Sequence, residues 1–238
     1  MTELPLILRV WRQPSQAATL TEAEWERLLA EARRVRVLGR LAAHLVSSGA
    51  LVHAPTGAQH ALASEQMIAR HEGRVARWEV TCLERVLAPV CGSLVLLKGA
   101  AYEVAGLPVA RGRISSDVDL LLEKDDLAAA EQALLTHGWR HVKLEPYDQL
   151  YYRQWTHELP PLQHGERETF VDVHHGILPV TSRLKPDVTR LLALATPLGG
   201  EYARWKVLSP EHMVLHSAVH GFHDGELDNP LADILDIH

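Results

Sequence analysis

The spacing of apolar residues predicts helices at both ends of the chain. After a capping box formed by Thr21 and Glu24, apolar residues recur at helical spacing over residues 25–46, with a break near the middle. The same spacing covers residues 59–90, and a final helix is expected from Ser209 to His220. Charged residues fill the intervening positions, which is typical of helices with one solvated face.

The middle of the chain has the shorter apolar runs of β-strands. The run at residues 94–97 is continuous and indicates a buried strand, and two further runs, at 114–122 and 169–174, contain acidic residues. Residues 139–144 and 150–155 also fit strands. We therefore predict an α/β (α+β) fold class, with the strands flanked by helices on both sides.

This change in spacing divides the chain into three predicted regions. They are a helical N-terminal region over residues 1–90, an α/β core over 91–178 and a helical C-terminal region over 179–238. An apolar helical pattern is still in progress at residues 233–238. That pattern indicates either an abrupt natural end or a truncation of helical material.

Two carboxylates stand two residues apart in the strand predicted over residues 114–122. Side chains at this spacing share one face of a strand, so Asp117 and Asp119 are expected side by side, and Asp172 lies in the strand at 169–174. Buried carboxylates need a partner, and carboxylate oxygens suit Mg²⁺. The three acids are therefore candidate metal ligands. Solvated strand ends, or an arginine partner for Asp172, are the other interpretations.

A turn that could bind phosphate precedes the acidic strand. Lys98 and Gly99 follow the first buried run, and Ala100 begins a short predicted helix. Backbone N–H groups at a helix start favour phosphate, and glycine permits close approach. Farther along, Arg113 could bind phosphate or pair with one of the acids, and Ser116 could hydrogen-bond locally.

Taken in order, these segments resemble the uncharacterised nucleotidyltransferase-like family of the DNA polymerase β superfamily. The resemblance covers roughly residues 90–236. The segments that carry it are Leu97–Ala101, Arg113, Ser116–Leu121, Val171–His174 and His216–Gly221. It implies a small mixed sheet with helices on one side. It also implies transfer of a nucleoside monophosphate from a nucleoside triphosphate to an acceptor, with Mg²⁺ or Mn²⁺ as the cofactor.

The resemblance also implies a role for each matching residue. Members of the superfamily often carry Gly-Ser at the phosphate turn, so the chain lacks one hydroxyl contact there, which the charge of the preceding lysine could partly replace. The implied catalytic residues, which are also the implied metal ligands, are Asp117, Asp119 and Asp172. The implied nucleotide-binding residues are Lys98, Gly99, Ala100, Arg113 and Ser116.

Two other functions remain open from the sequence. One is a non-catalytic binding module with the same fold, which the missing hydroxyl at Ala100 favours and the retention of all three acids opposes. The other is a His/Asp metal-dependent phosphohydrolase, because histidines four residues apart on a helix can hold a transition metal. The metal ligands of such a phosphohydrolase would be His216, His220, His223 and Asp233. This alternative gives Asp117 and Asp119 no role.

His174 is ambiguous at this level. It lies two residues after Asp172 and therefore on the same face of the strand. It either supports the acidic site by hydrogen bonding or is a half-buried strand histidine.

The composition limits the compartment and the partners. The chain of 238 residues has a net charge of −6, which argues against a large nucleic acid and leaves a small molecule or a protein as the acceptor. Two cysteines, Cys82 and Cys91, give no disulfide framework, and the N terminus lacks the pattern of a signal peptide. No apolar run reaches the roughly 18 residues of a membrane span. We therefore expect a cytoplasmic protein with no membrane partner.

Overall fold

The structure, a computed structural model, describes residues 4–223 and 230–237. The N-terminal region is helical, as the apolar spacing predicts. The predicted capping box is present, because the Thr21 hydroxyl accepts from the Glu24 backbone N–H and a Glu24 carboxylate oxygen accepts from that of Thr21. Within the described residues, no helix is both long and apolar enough to cross a membrane. The helices of this region are α1 (Leu6–Arg12), α2 (Glu22–Arg34), α3 (Leu38–Ser47) and α4 (Thr56–Leu87).

The strands of the described residues form one mixed sheet in the order β3-β4-β5-β2-β1-β7-β6. The two central pairs differ in direction, since β1 and β2 are antiparallel whereas β2 and β5 are parallel. The strands are β1 (Leu94–Leu96), β2 (Asp117–Leu121), β3 (Trp139–His141), β4 (Leu162–His164), β5 (Phe170–His174), β6 (Thr196–Pro197) and β7 (Trp205–Val207).

Helices also connect and follow the strands. They are α5 (Lys98–Val104), α6 (Leu127–Thr136), α7 (Pro146–Trp155), α8 (Val188–Ala193), α9 (Pro210–His223) and α10 (Pro230–Ile237). Helix α10 packs against the N-terminal helices, where Leu231 and Leu235 join their apolar core. Helix α10 also packs against α9, where Ser217 forms a hydrogen bond with Tyr102 of α5 in the α/β core.

The alternation of side chains along β2 separates the two faces of the sheet. Val118 and Leu120 point into the main core, which also contains buried residues of α4, α5 and α6. Leu121 lies on the opposite face, in a smaller cluster with Leu191 of α8. The resemblance implies helices on one side of the sheet, and most helices that pack on the sheet do lie on the side of the larger core. Helix α8 covers part of the second face. The acidic residues of β2 belong to that second face by the same alternation.

A buried ion pair fastens the β4–β5 hairpin to the long helix α4. The Arg167 guanidinium, in the turn between the two strands, donates to both carboxylate oxygens of Glu79, at 2.9 and 2.7 Å. Glu79 is only 1% exposed, so its charge depends on this partner. The hairpin that carries Asp172 is thereby held in place against the helical layer.

The prediction of a strand over residues 150–155 is wrong, because this segment is the second half of α7. Pro146 occupies the first turn of the helix, where a missing N–H costs nothing. Tyr147 and Tyr151, four residues apart, stack with their ring centroids 6.4 Å apart, which is a helical contact. A short run of aromatic and apolar residues fits the spacing of a helix as well as that of a strand, and this segment forms a helix.

The sheet also differs from the prediction in extent. The strand expected over residues 139–144 ends at His141. Strand β4 was not predicted, and β6 and β7 come from residues beyond 178, where only helix and loop were expected. These strands are two or three residues long, which is too short for a repeating pattern to mark them.

Candidate active site

The three candidate carboxylates meet on the second face of the sheet. Strands β2 and β5 are parallel neighbours, and their register places Asp119 opposite Asp172. Asp117 lies two residues before Asp119 and shares its face. One carboxylate oxygen from each of the three residues lies within 4.8 Å of the other two. The alternation of side chains in the sequence predicted this convergence correctly.

Lys98 is directed at the same carboxylates. It is the first residue of α5, separated from β1 only by Leu97, and its backbone φ of 44° is a left-handed conformation that is uncommon for a residue other than glycine. Its Nζ donates to Oδ1 of Asp119 at 2.9 Å. Burial by itself would lower the pKa of Lys98, but the charge and hydrogen bond of Asp119, together with the charges of Asp117 and Asp172, raise it overall. Lys98 is therefore a fixed positive charge within the acidic site.

His174 completes the surroundings of Asp119. Its Nε2 lies 3.1 Å from Oδ1 of Asp119, and both side chains are almost fully buried. Burial would raise the pKa of Asp119, but Lys98 and His174 together hold it well below its usual value. Asp119 is therefore ionised. Of the two interpretations that the sequence allows for His174, the structure supports the hydrogen-bonding one.

The other two carboxylates, Asp117 and Asp172, have raised pKa values. Burial, and then the charge of Asp119, raises the pKa of Asp172 to about 7. The same two causes raise the pKa of Asp117. Within the described residues, the buried Oδ1 of Asp172 has no hydrogen-bond partner. An all-oxygen donor set with an unsatisfied buried oxygen fits a hard divalent cation such as Mg²⁺.

The predicted phosphate turn is tightly packed against its own chain. A Cβ on Gly99 would lie 2.9 Å from Cβ of Ser115 and closer still to its hydroxyl, so glycine is required for this approach. Ala100 is completely buried in the main core, together with Ala101 and Tyr102. The side chain of Ala100 is therefore placed in the core and away from the carboxylate face.

Within the described residues, Arg113 and Ser116 form no hydrogen bond or ion pair with the three carboxylates, although the charge of Arg113 acts on Asp117. The Arg113 guanidinium donates to Asp236 of α10 at 3.2 Å and to the hydroxyl of Ser115. Asp236 also pairs with Arg40 of α3, so one carboxylate joins three elements. Ser116 is exposed immediately before β2. Of the two roles left open for Arg113, the structure shows an ion pair, with a more distant acid than expected.

The histidines of α9 do not form a metal site among the described residues. His216 is buried, and burial followed by the charge of Lys98 lowers its pKa to about 3, so it is neutral. A Cβ on Gly221 of α9 would lie 3.3 Å from Cβ of Asp233, which places α10 tightly against α9. Neither His216, His220 nor Asp233 belongs to a metal-capable group within the part of the chain described. The side chain of His223 lies outside the described residues.

Sequence reasoning missed two residues beside the site, His157 and Glu158. They lie in the segment after α7, where Glu158 forms a bridge to His174 at the end of β5. One ligand atom from each of these three residues lies within 4.8 Å of the others. No periodic pattern marks this segment in the sequence. A histidine followed by a glutamate was the only signal present.

A comparison with protein families agrees with this geometry. The model of a family described as an uncharacterised nucleotidyltransferase matches residues 21–238, which include all three carboxylates and Lys98. No curated protein and no solved structure matches the chain. The chain therefore belongs to this family of uncharacterised nucleotidyltransferases.

Proposed function

We propose that the protein is a Mg²⁺-dependent nucleotidyltransferase that moves a nucleoside monophosphate from a nucleoside triphosphate to an acceptor hydroxyl. The observation that carries the proposal is the convergence of Asp117, Asp119 and Asp172 on one face, with a buried oxygen of Asp172 unsatisfied among the described residues. Such a set is well suited to holding divalent ions and poorly suited to standing alone.

The metal ligands in this proposal are the same three carboxylates. Both hydrogen bonds to Asp119 end on Oδ1, which leaves Oδ2 for another ligand. Bound there, Mg²⁺ or Mn²⁺ would neutralise charge on the triphosphate as pyrophosphate leaves. Lys98 and His174 hold Asp119 in one orientation and in its ionised form, so this ligand needs no rearrangement.

Lys98 is proposed to contact the triphosphate as a point charge. Its side chain is mostly buried and its Nζ lies 2.9 Å from Asp119, so a phosphate oxygen that reached Nζ would also lie next to the carboxylates. Gly99 serves this arrangement indirectly, because it allows the segment with Ser115 to pack beneath the turn. Arg113 acts through α10 in this proposal and does not contact the nucleotide.

Asp172 is proposed to accept the proton of the acceptor hydroxyl. A carboxylate has two oxygens, so one oxygen of Asp172 can bind the ion while the other accepts the proton as a general base. As the acceptor oxygen forms its bond to the α-phosphorus, the bond from that phosphorus to the bridging oxygen breaks. The proton passes to the Asp172 carboxylate, and pyrophosphate takes the bonding electrons of the broken bond.

The proposal is tested with the purified full chain and nucleoside triphosphates labelled at the α-phosphate. Pyrophosphate release and transfer of label are measured with Mg²⁺ or Mn²⁺ over a panel of small-molecule and protein acceptors. We expect Asp119→Asn to lose metal-dependent nucleotide binding and Asp172→Asn to keep binding but lose transfer. Asp125→Asn, an exposed acid outside the site, is the matched control.

Two outcomes would contradict the proposal. If Asp172→Asn transfers label at the native rate, the assigned chemistry is wrong. If no triphosphate binds the native chain in the presence of Mg²⁺ or Mn²⁺, the protein is a non-catalytic module with the same fold.

A further inference from the structure

We propose that His157, Glu158 and His174 form a second metal site, for a transition ion of the Zn²⁺ class, beside the carboxylate site. One ligand atom from each residue lies within 4.8 Å of the other two. The donors are two imidazoles and one carboxylate. This set differs from the all-carboxylate cluster in preferring Zn²⁺, Co²⁺ or Ni²⁺ over Mg²⁺.

The backbone fixes the three ligands relative to one another. The segment after α7 runs antiparallel to the end of β5, with Glu158 bridged to His174. The backbone N–H of His175 donates to the carbonyl of His157 at 2.8 Å, and that of Leu159 donates to Val173 at 2.9 Å. The ligands are therefore held by sheet-like hydrogen bonds on both sides, which is the rigidity that a metal site requires.

One ring nitrogen of His174, Nδ1, has no hydrogen-bond partner among the described residues. Oδ1 of Asp119 accepts from Lys98 at 2.9 Å and lies 3.1 Å from Nε2 of His174, so Nε2 carries the hydrogen. In the neutral imidazole, Nδ1 then presents a lone pair. The atom that carries this lone pair is buried.

The lone pair of Nδ1 faces another acceptor. Oε2 of Glu158 lies 3.4 Å from Nδ1 of His174, and the His174 side chain is only 4% exposed. Two acceptors at this distance repel each other unless a proton or a metal ion lies between them, and the metal ion is the case that we propose. A histidine that donates one nitrogen to a carboxylate and offers the other to a metal is the usual arrangement in zinc sites.

His157 supplies the third ligand. Its ring lies beside that of His174, with the centroids 5.4 Å apart, and it is 9% exposed. Three protein ligands leave one coordination position open, as in zinc sites that bind water or a substrate atom. Asp119 contacts both sites, so a metal bound to His174 would also help to fix the carboxylate that we assign to Mg²⁺.

The test is a titration with Co²⁺, which reports nitrogen ligands by its visible absorption. The full chain without a histidine tag is stripped with a chelator and titrated in excess Mg²⁺, so that the carboxylate site is occupied. We expect one tightly bound equivalent of Co²⁺, with the spectrum of a nitrogen-containing four- or five-coordinate site. Added Zn²⁺ should abolish this spectrum by displacement.

Variants decide which residues bind the metal. His157→Asn and Glu158→Gln should each weaken Co²⁺ and Zn²⁺ binding about tenfold or more. His175→Asn, at the neighbouring position, and Asp172→Asn, in the carboxylate site, should bind Co²⁺ as the native chain does. Circular dichroism spectra confirm that each variant is folded.

Three results would overturn the proposal. One is the absence of a stoichiometric Co²⁺ or Zn²⁺ site in the native chain. Another is native affinity in both His157→Asn and Glu158→Gln. The third is loss of the Co²⁺ spectrum in Asp172→Asn, which would assign the ion to the carboxylate cluster.

Discussion

Replacing Asp172 by asparagine should stabilise the metal-free protein at alkaline pH. Burial, and then the charge of Asp119, raises the pKa of Asp172 from 3.8 to about 7. The ionised carboxylate of Asp172 is repelled by that of Asp119, and within the described residues its buried Oδ1 has no hydrogen-bond partner that would offset this repulsion. Asparagine keeps the shape of the carboxylate and carries no charge, so the repulsion disappears in Asp172→Asn.

The direction and size of this effect follow from the pKa. The folded protein holds the Asp172 proton more tightly than the unfolded chain does, so the contribution of Asp172 to the free energy of unfolding falls as the pH rises from about 4 to about 7. At about 1.4 kcal/mol per pKa unit, the ionised carboxylate costs roughly 4 kcal/mol above that range. A buried amide with unfilled hydrogen bonds costs about 1 to 2 kcal/mol. The net gain for Asp172→Asn is then about 2 kcal/mol near pH 8, with a small loss near pH 4.

Urea denaturation in the presence of a chelator measures this difference. The native chain, Asp172→Asn and the exposed control Asp125→Asn are unfolded at both pH values. Asp125→Asn should differ little from the native chain at either. Saturating Mg²⁺ should reverse the order of the native chain and Asp172→Asn, because only the native site binds the ion fully. If Asp172→Asn is no more stable than the native chain at alkaline pH, or gains equally at both pH values, the carboxylates do not repel as argued.

Three further substitutions test separate parts of the structure. Lys98→Ala should weaken triphosphate binding about tenfold while Mn²⁺ binding measured by electron paramagnetic resonance changes less; equal losses would contradict the point-charge role. Gly99→Ala should destabilise the fold by about 1 to 3 kcal/mol in urea denaturation, because its Cβ overlaps a neighbouring side chain, whereas Gly57→Ala, with open space around it, should not. Glu79→Ala should cost about 3 kcal/mol by leaving Arg167 unpaired, and a loss below 1 kcal/mol would refute that buried pair.

The carboxylate cluster could be predicted because its geometry is local. The positions of Asp117 and Asp119 on one face follow from strand alternation alone, and Asp172 needed only the assumption of a neighbouring strand. The hydrogen bond from His174 follows from the same parity, although parity could not distinguish a functional histidine from a structural one. The capping box at Thr21 was equally local and was formed as expected.

The features that the sequence could not predict depend on long-range contacts. Arg113 pairs with Asp236, 123 positions away along the chain, and nothing in either segment indicates the other. His157 and Glu158 approach His174 only because the chain reverses after α7 and runs beside β5. The helical form of residues 150–155 reflects the ambiguity of short aromatic runs, which tertiary packing resolves.

The most direct test of the central claim is the binding of Mn²⁺ and a nucleoside triphosphate to the same site. Mn²⁺ replaces Mg²⁺ at carboxylate ligands, and its electron paramagnetic resonance signal distinguishes free from bound ion. The native chain and Asp125→Asn should bind Mn²⁺, and a triphosphate should increase the bound fraction, whereas Asp119→Asn should show neither effect. If Asp119→Asn binds Mn²⁺ and triphosphate as the native chain does, the carboxylate cluster is not the nucleotidyl transfer site.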